Sequence, residues 1–114
     1  MAHRVQTARG VMFTIPCEAI FNQHPTIYRS ALVGVGQPGQ QRPVIVAEPW
    51  PGRMPRGAAA RQQLIKELSE LASRNELTAE IHDFLLHSSM PVDIRHNAKI
   101  FREKLAVWAT RELR

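Results

Sequence analysis

The sequence predicts an α+β domain: an N-terminal β-hairpin, then a small sheet of about three strands with helices packed against it. Three observations lead there. Val5 and Thr7 before Gly10, and Met12, Phe13 and Ile15 after it, alternate as two short strands joined by a turn. Two apolar, β-rich runs, Ile27 to Val35 and Pro43 to Glu48, flank a cluster of glycine, glutamine and proline that reads as a connection between paired strands. Leu64, Ile65, Leu68, Leu71 and Ala72 recur at helical spacing within Ala58 to Arg74, a stripe suited to packing on a sheet. With 114 residues, 44% of them hydrophobic, the chain fits one domain with one core, residues 1–114.

Each element has its own signal. Pro16 opens a short helical stretch through Phe21 that Pro25 closes, about two turns long. The alternation in the two central strands is poor, so both of their faces are expected to be covered. Pro49, Pro51, Gly52, Pro55 and Gly57 form a rigid surface loop ahead of the long helix. Ile81, Phe84, Leu85 and Leu86 suit a third strand or a short helix, and so few residues do not choose between them. Beyond a polar loop containing Pro91, the stretch from Phe101 to Leu113 places Phe101, Leu105 and Trp108 on one helical face. Phe101 and Trp108 are expected in the core, and Trp50 against the long helix or capping a loop, with contact to another domain as the alternative that an exposed ring would favour.

The formal charge of +5 and a pI near 10.4 favour an anionic partner, although the basic residues stand singly among acidic and apolar ones. No stretch is long and apolar enough to span a membrane. The single cysteine, Cys17, excludes an internal disulfide, and the N-terminus lacks a secretory pattern, so a cytoplasmic protein is expected.

Several motifs invite chemistry. Gly34-Val35-Gly36-Gln37-Pro38-Gly39 spells a dinucleotide-binding fingerprint, but a strand follows where a helix N-terminus should receive the pyrophosphate, and Pro38 withdraws an amide. It reads as a turn. His3, His24, His82, His87 and His96, with Cys17, lack the spacing of a zinc site, so no metal site is expected. The pairs Asp83 with Asp93 and Glu67 with Glu70 read as solvated charges. Around Pro91 to Arg102, three basic side chains, Arg95, Lys99 and Arg102, surround a small-residue turn at the mouth of a helix. By composition this is a solvated basic loop, in which a lysine is free to project as a point charge.

The segment Asn97-Ala98-Lys99-Ile100-Phe101-Arg102 resembles the terminal signature of the adenylate-forming superfamily, which includes acyl-CoA synthetases, peptide-synthetase adenylation domains and luciferases. In that signature a lysine follows a small residue and precedes Ile/Val-x-Arg. Upstream, Ile15-Pro16-Cys17-Glu18-Ala19-Ile20-Phe21, His24-Pro25 and Arg29-Ser30-Ala31-Leu32-Val33-Gly34-Val35-Gly36 follow the family's order, so the resemblance spans nearly the whole chain. Within the superfamily, Pro91-Val92-Asp93-Ile94-Arg95-His96-Asn97-Ala98-Lys99-Ile100 is most similar to the tails of olefin β-lactone synthetases. Two departures from the general pattern point the same way: Ala98 stands where glycine is usual, and the stretch from Pro91 to Lys99 is long.

The resemblance implies a C-terminal lid domain that closes on a large N-terminal domain absent from this chain, with the hinge residue also outside it. It implies an enzyme that uses ATP and Mg2+ to turn a fatty or β-hydroxy fatty acid into an acyl-adenylate, and then into a β-lactone or an acyl-CoA. Lys99 is then the catalytic lysine of adenylation. The hairpin edge at Ala8, Arg9, Gly10 and Val11 is presented in the second half-reaction. Only Gly10 remains of a loop that is glycine-rich in acyl-CoA synthetases, so use of coenzyme A stays open. This chain alone is expected to bind no cofactor and not to turn over. The competing readings are a basic nucleic-acid-binding module carried by Arg95, His96, Lys99, Arg102 and Lys104, and a protein-interaction module. The chain has no interleaved aromatics or zinc pattern for the former, and no nucleic acid is expected.

Overall fold

The computed structural model describes residues 4–93 and 99–114, with residues 93 and 99 described by their backbone. The hairpin is formed by β1 (Arg4–Thr7) and β2 (Gly10–Phe13), which pair antiparallel through a two-residue turn. Helix α1 (Thr14–Phe21) follows without a linker, so Ile15, expected in the strand, lies in the helix instead. Pro16 therefore sits inside the first turn rather than opening it, which costs nothing because the amides of that turn have no intrahelical partner.

Strands β3 (Ile27–Val35) and β4 (Arg42–Pro49) pair antiparallel over nearly their full lengths. Gly57, at φ 84°, admits the chain from the proline-rich loop into α2 (Ala58–Ser73). The stretch that periodicity left open is strand β5 (Asp83–Leu86), running parallel to β4 with Val44 opposite Asp83 and Ala47 opposite Leu86. Its type is decided by that neighbour. The sheet order is β3-β4-β5.

Both faces of this sheet are covered. On one face Leu32, Ile45, Ala47, Phe84 and Leu86 meet Cys17 and Phe21 of α1 and Leu64, Leu68 and Ala72 of α2. On the other, Ala31, Val33, Val44 and Val46 meet Leu105 and Ala109 of α3 (Arg102–Glu112), with Met90 beside them. Successive strand residues serve opposite cores, and this accounts for the poor polar alternation. Trp108 packs at the rim of the second core, its ring 4.5 Å from that of His87, and Phe101 is half-buried under the Lys104 ammonium.

The stretch expected as a polar loop contains a further small antiparallel pair, β6 (Val92–Asp93) with β7 (Lys99–Ile100), in which Asp93 lies opposite Lys99. The amide of Phe101 donates to the Pro91 carbonyl at 3.0 Å and closes the neck of this hairpin.

Candidate functional site

Lys99 stands on β7, three residues before the start of α3. Arg95, His96, Asn97 and Ala98, which complete the basic turn expected from the sequence, lie outside the described residues, as does His3. Lys99 itself is placed by its backbone, on the second strand of a hairpin that leaves the sheet at Met90 and returns at Arg102.

Both ends of that hairpin are tied to buried carboxylates. Glu18 on α1 is 6% exposed and Glu48 at the end of β4 is 5% exposed. Glu18 receives the Arg102 guanidinium in a fork, Nη2 to Oε1 at 2.6 Å and Nε to Oε2 at 3.1 Å, and also accepts the amide of Leu32 at 2.7 Å. Glu48 Oε1 accepts Nε of Arg29 at 2.9 Å and the amide of Met90 at 2.8 Å. Arg102 is therefore not a free cation of the basic loop, as composition suggested. Its charge is spent on Glu18 in the interior, because a guanidinium taken out of water requires a counter-charge.

The second edge is the β1–β2 hairpin. Ala8 and Arg9 form its turn, where the Thr7 hydroxyl donates to the Gly10 carbonyl at 2.9 Å and accepts the Arg9 amide at 3.1 Å. Arg9, Gly10, Val11, Phe13, Cys17 and Leu77 line a groove of about 210 Å³. Val11, Phe13 and Leu77 are each at least half exposed there. The Cys17 thiol in its floor donates to the Leu77 carbonyl at 3.5 Å, and burial, reinforced by the charge of Glu18, raises its pKa. Such a thiol is a poor nucleophile at neutral pH.

The fingerprint-like glycines have a structural use. The turn between β3 and β4 grips β1: the Gln41 side-chain oxygen accepts the Gln6 amide at 2.9 Å, and the Gln6 carbonyl accepts the amides of Gly39 and Gln41. A side chain at Gly34 would put its Cβ 2.6 Å from the Gln41 amide group, so the Gln41 side chain keeps its place beside β1 only while this position is bare. The motif clasps a hairpin rather than a phosphate.

The remaining candidates resolve into structure. His24 Nδ1 accepts the Thr26 amide at 3.1 Å, which leaves Nε2 to donate to Glu67 at 2.7 Å and ties α2 to the turn before β3. Asp83 holds Arg42 in a fork. Among the described residues no group of three or more His, Cys, Asp or Glu side chains converges as a metal site. No helix among them is long and apolar enough to cross a membrane. Trp50 does not pack on α2. It is 48% exposed and lies against Tyr28, ring centroids 4.5 Å apart, while the Arg29 guanidinium covers Tyr28.

Two strand pairs thus flank one small sheet, β1–β2 and β6–β7, and the second carries Lys99. Over 110 residues, 96% of its length, the sequence is 51% identical to an olefin beta-lactone synthetase of Xanthomonas campestris pv. campestris. The chain is similar to about a fifth of that enzyme. It is 46% identical over 110 residues to an olefin beta-lactone synthetase of Stenotrophomonas maltophilia, and covers 19% of each of these two relatives. No protein-family model matches the chain. In fold it is similar to 20% of the anthranilate CoA ligase AuaEII, solved in complex with anthranoyl-AMP, with a TM-score of 0.75 at 16% identity over 97% of the chain. The α+β fold expected from the sequence is thus that of a segment of adenylate-forming enzymes.

Sequence reasoning missed the two buried Glu–Arg pairs. A signal for each was present: Glu18 interrupts the apolar run Cys17, Ala19, Ile20, Phe21, and Glu48 ends the run Val44 to Ala47. A carboxylate embedded in such a run is buried with a partner or the run is not core.

Proposed function

We propose that this chain is the C-terminal lid of an ATP-dependent acyl ligase, with Lys99 as its catalytic residue and a β-hydroxy fatty acid as substrate of the whole protein. The 51% identity to an olefin beta-lactone synthetase, extending over 96% of the chain, carries this reading. The β7 backbone that carries Lys99, anchored through Met90 and Arg102, is compatible with it. ATP and Mg2+ belong to the large remaining domain, and this chain contributes a cation to them.

In the first half-reaction a carboxylate oxygen attacks the α-phosphorus of ATP and pyrophosphate leaves. Negative charge accumulates between two anionic reactants, and a positioned ammonium in a dry site stabilises it while holding the reactants together. In the second, the substrate's β-hydroxyl oxygen attacks the acyl carbon, the bond to AMP breaks with its electron pair on AMP, and the hydroxyl proton passes to solvent. The product is a four-membered lactone, and no thiol is needed. The groove beside Arg9, Gly10 and Val11 is the surface that this lid presents for that step.

Replacement of Lys99 by alanine in the full-length protein should lower ATP–pyrophosphate exchange by on the order of a hundredfold or more, the usual effect of deleting one preorganised charge-stabilising group. Unchanged exchange rules out the assignment. A β-hydroxy acid should yield AMP without coenzyme A, and AMP release that requires coenzyme A with a simple fatty acid would refute the substrate reading.

The nucleic-acid reading loses support from the arginines. Arg29, Arg42 and Arg102 are all engaged by carboxylates, so the positive charge available to a phosphate backbone is smaller than the composition suggests.

A further inference from the structure

Glu18 and Glu48 are the buried charged residues among those described, and they stand at the two ends of one short segment. Glu48 holds the amide of Met90, just before β6, and Glu18 holds the side chain of Arg102, just after β7. Between these anchors the Phe101 amide and the Pro91 carbonyl close the neck. Each carboxylate also reaches the central sheet, Glu18 through the Leu32 amide on β3 and Glu48 through Arg29 on β3. Both ends of the β6–β7 segment are thus tied to β3 by charged hydrogen bonds.

Stability alone does not account for this arrangement. Taking two charges out of water is expensive, and apolar residues of the same volume often stabilise a core as well or better. Apolar packing is, however, non-directional. A planar guanidinium forked on a carboxylate fixes both distance and orientation, which neither a methylene contact nor a lysine would do. The resource is concentrated where direction matters, at the feet of the strand bearing Lys99.

We infer that Glu18–Arg102 and Glu48–Arg29 are paired positioning devices that set the backbone of the Lys99 hairpin for adenylation; this rests on the reading of Lys99 given above. They touch no reacting atom and act through Lys99. Misplacing a charge-stabilising group by about 1 Å costs up to on the order of a hundredfold in rate, so the loss of a fork has a measurable effect.

The test uses the full-length protein and two variants that keep the interior occupied. Arg102→Lys retains a cation beside Glu18 without the fork, and Glu48→Gln retains an acceptor for Met90 without the charge. Each should lower kcat for ATP–pyrophosphate exchange between about tenfold and a hundredfold, with KM for ATP nearly unchanged. Conversion of a supplied acyl-adenylate to product should persist at the wild-type rate, because that step uses the other hairpin. Placed on Lys99→Ala, neither change should lower exchange further, since a residue acting through Lys99 has nothing left to act on. Equal losses in both half-reactions would mark the pairs as merely structural and overturn the inference, as would a further loss on the Lys99→Ala background. If Lys99→Ala abolishes exchange while both variants retain it, the positioning role falls and the catalytic reading stands. Should Lys99→Ala itself retain full exchange, the catalytic reading falls and the positioning role with it.

Discussion

The energetics of the Glu18–Arg102 pair admit a direct measurement. Replacing Arg102 with methionine removes the 2.6 Å and 3.1 Å hydrogen bonds to Glu18 and leaves that carboxylate the Leu32 amide alone. The side chains of Arg102 and Glu18 are 14% and 8% exposed, so water restores little of what is lost. Two charge-assisted bonds at about 1.5–3 kcal/mol each set an upper range of about 3–6 kcal/mol. Breaking a buried pair from one side costs about 3–5 kcal/mol, and the surviving Leu32 bond favours the lower end. The expected loss is therefore about 3 kcal/mol, a large share of the roughly 5–15 kcal/mol available to a small domain. Glu18→Gln should cost a similar amount by leaving the guanidinium unpaired. The double variant Glu18→Gln/Arg102→Met has no uncompensated charge and keeps an acceptor for Leu32, so its loss should fall short of the sum by about 2–3 kcal/mol. Urea denaturation of the four proteins, followed by tryptophan fluorescence, closes the cycle. Strictly additive losses, or single losses below about 1 kcal/mol, would show that the pair behaves like an exposed ion pair and refute the argument.

Two other perturbations test separate parts of the molecule. Gly34→Ala should displace the Gln41 amide from its place beside β3 and cost about 1 kcal/mol through the lost Gln6–Gln41 bond. Faster hydrogen exchange at Gln6, with the β3–β4 core unaffected, is the expected sign, and an unchanged Gln6 would contradict the clasp. The His87 pKa is lowered from 6.5, chiefly by burial, against the opposing charges of Glu48 and Glu112. The unfolded chain then takes up the proton first, so stability present above pH 6.5 should decline as the pH falls below it, through the lowered folded value. Urea midpoints at several pH values, compared with those of His87→Gln, read this out: the variant should lose less stability on acidification, and parallel profiles would remove His87 from the account.

Much of the fold was legible because its signals are local. The helix from Ala58 depends on a stripe spaced by its own geometry, and the hairpin on alternation around Gly10. Strand β5 was not legible, since four residues carry no period and only the edge of β4 makes them a strand. The neighbour of Trp50 was left open for a related reason: an aromatic ring between prolines can meet several partners, and Tyr28, twenty-two positions earlier in the numbering, becomes one only when β3 and β4 pair. Of the candidate site, Lys99 was visible through the resemblance of its flanking residues, whereas composition alone merged it with Arg102.

The sequence by itself determined the α+β class, the N-terminal hairpin, the paired β3 and β4 runs and the long helix, because these depend on spacing, turn chemistry and short motifs along the chain; that the core divides into two, one on each face of the sheet, it did not show. Tertiary structure alone decided what the neighbouring charges do. Glu18 and Arg102 are 84 positions apart, and their 2.6 Å contact exists only after α1 and α3 have packed on opposite faces of the same sheet. Burial then gives their charges a partner and a direction, turning an arginine that the sequence offered to solvent into an anchor for the strand that carries Lys99.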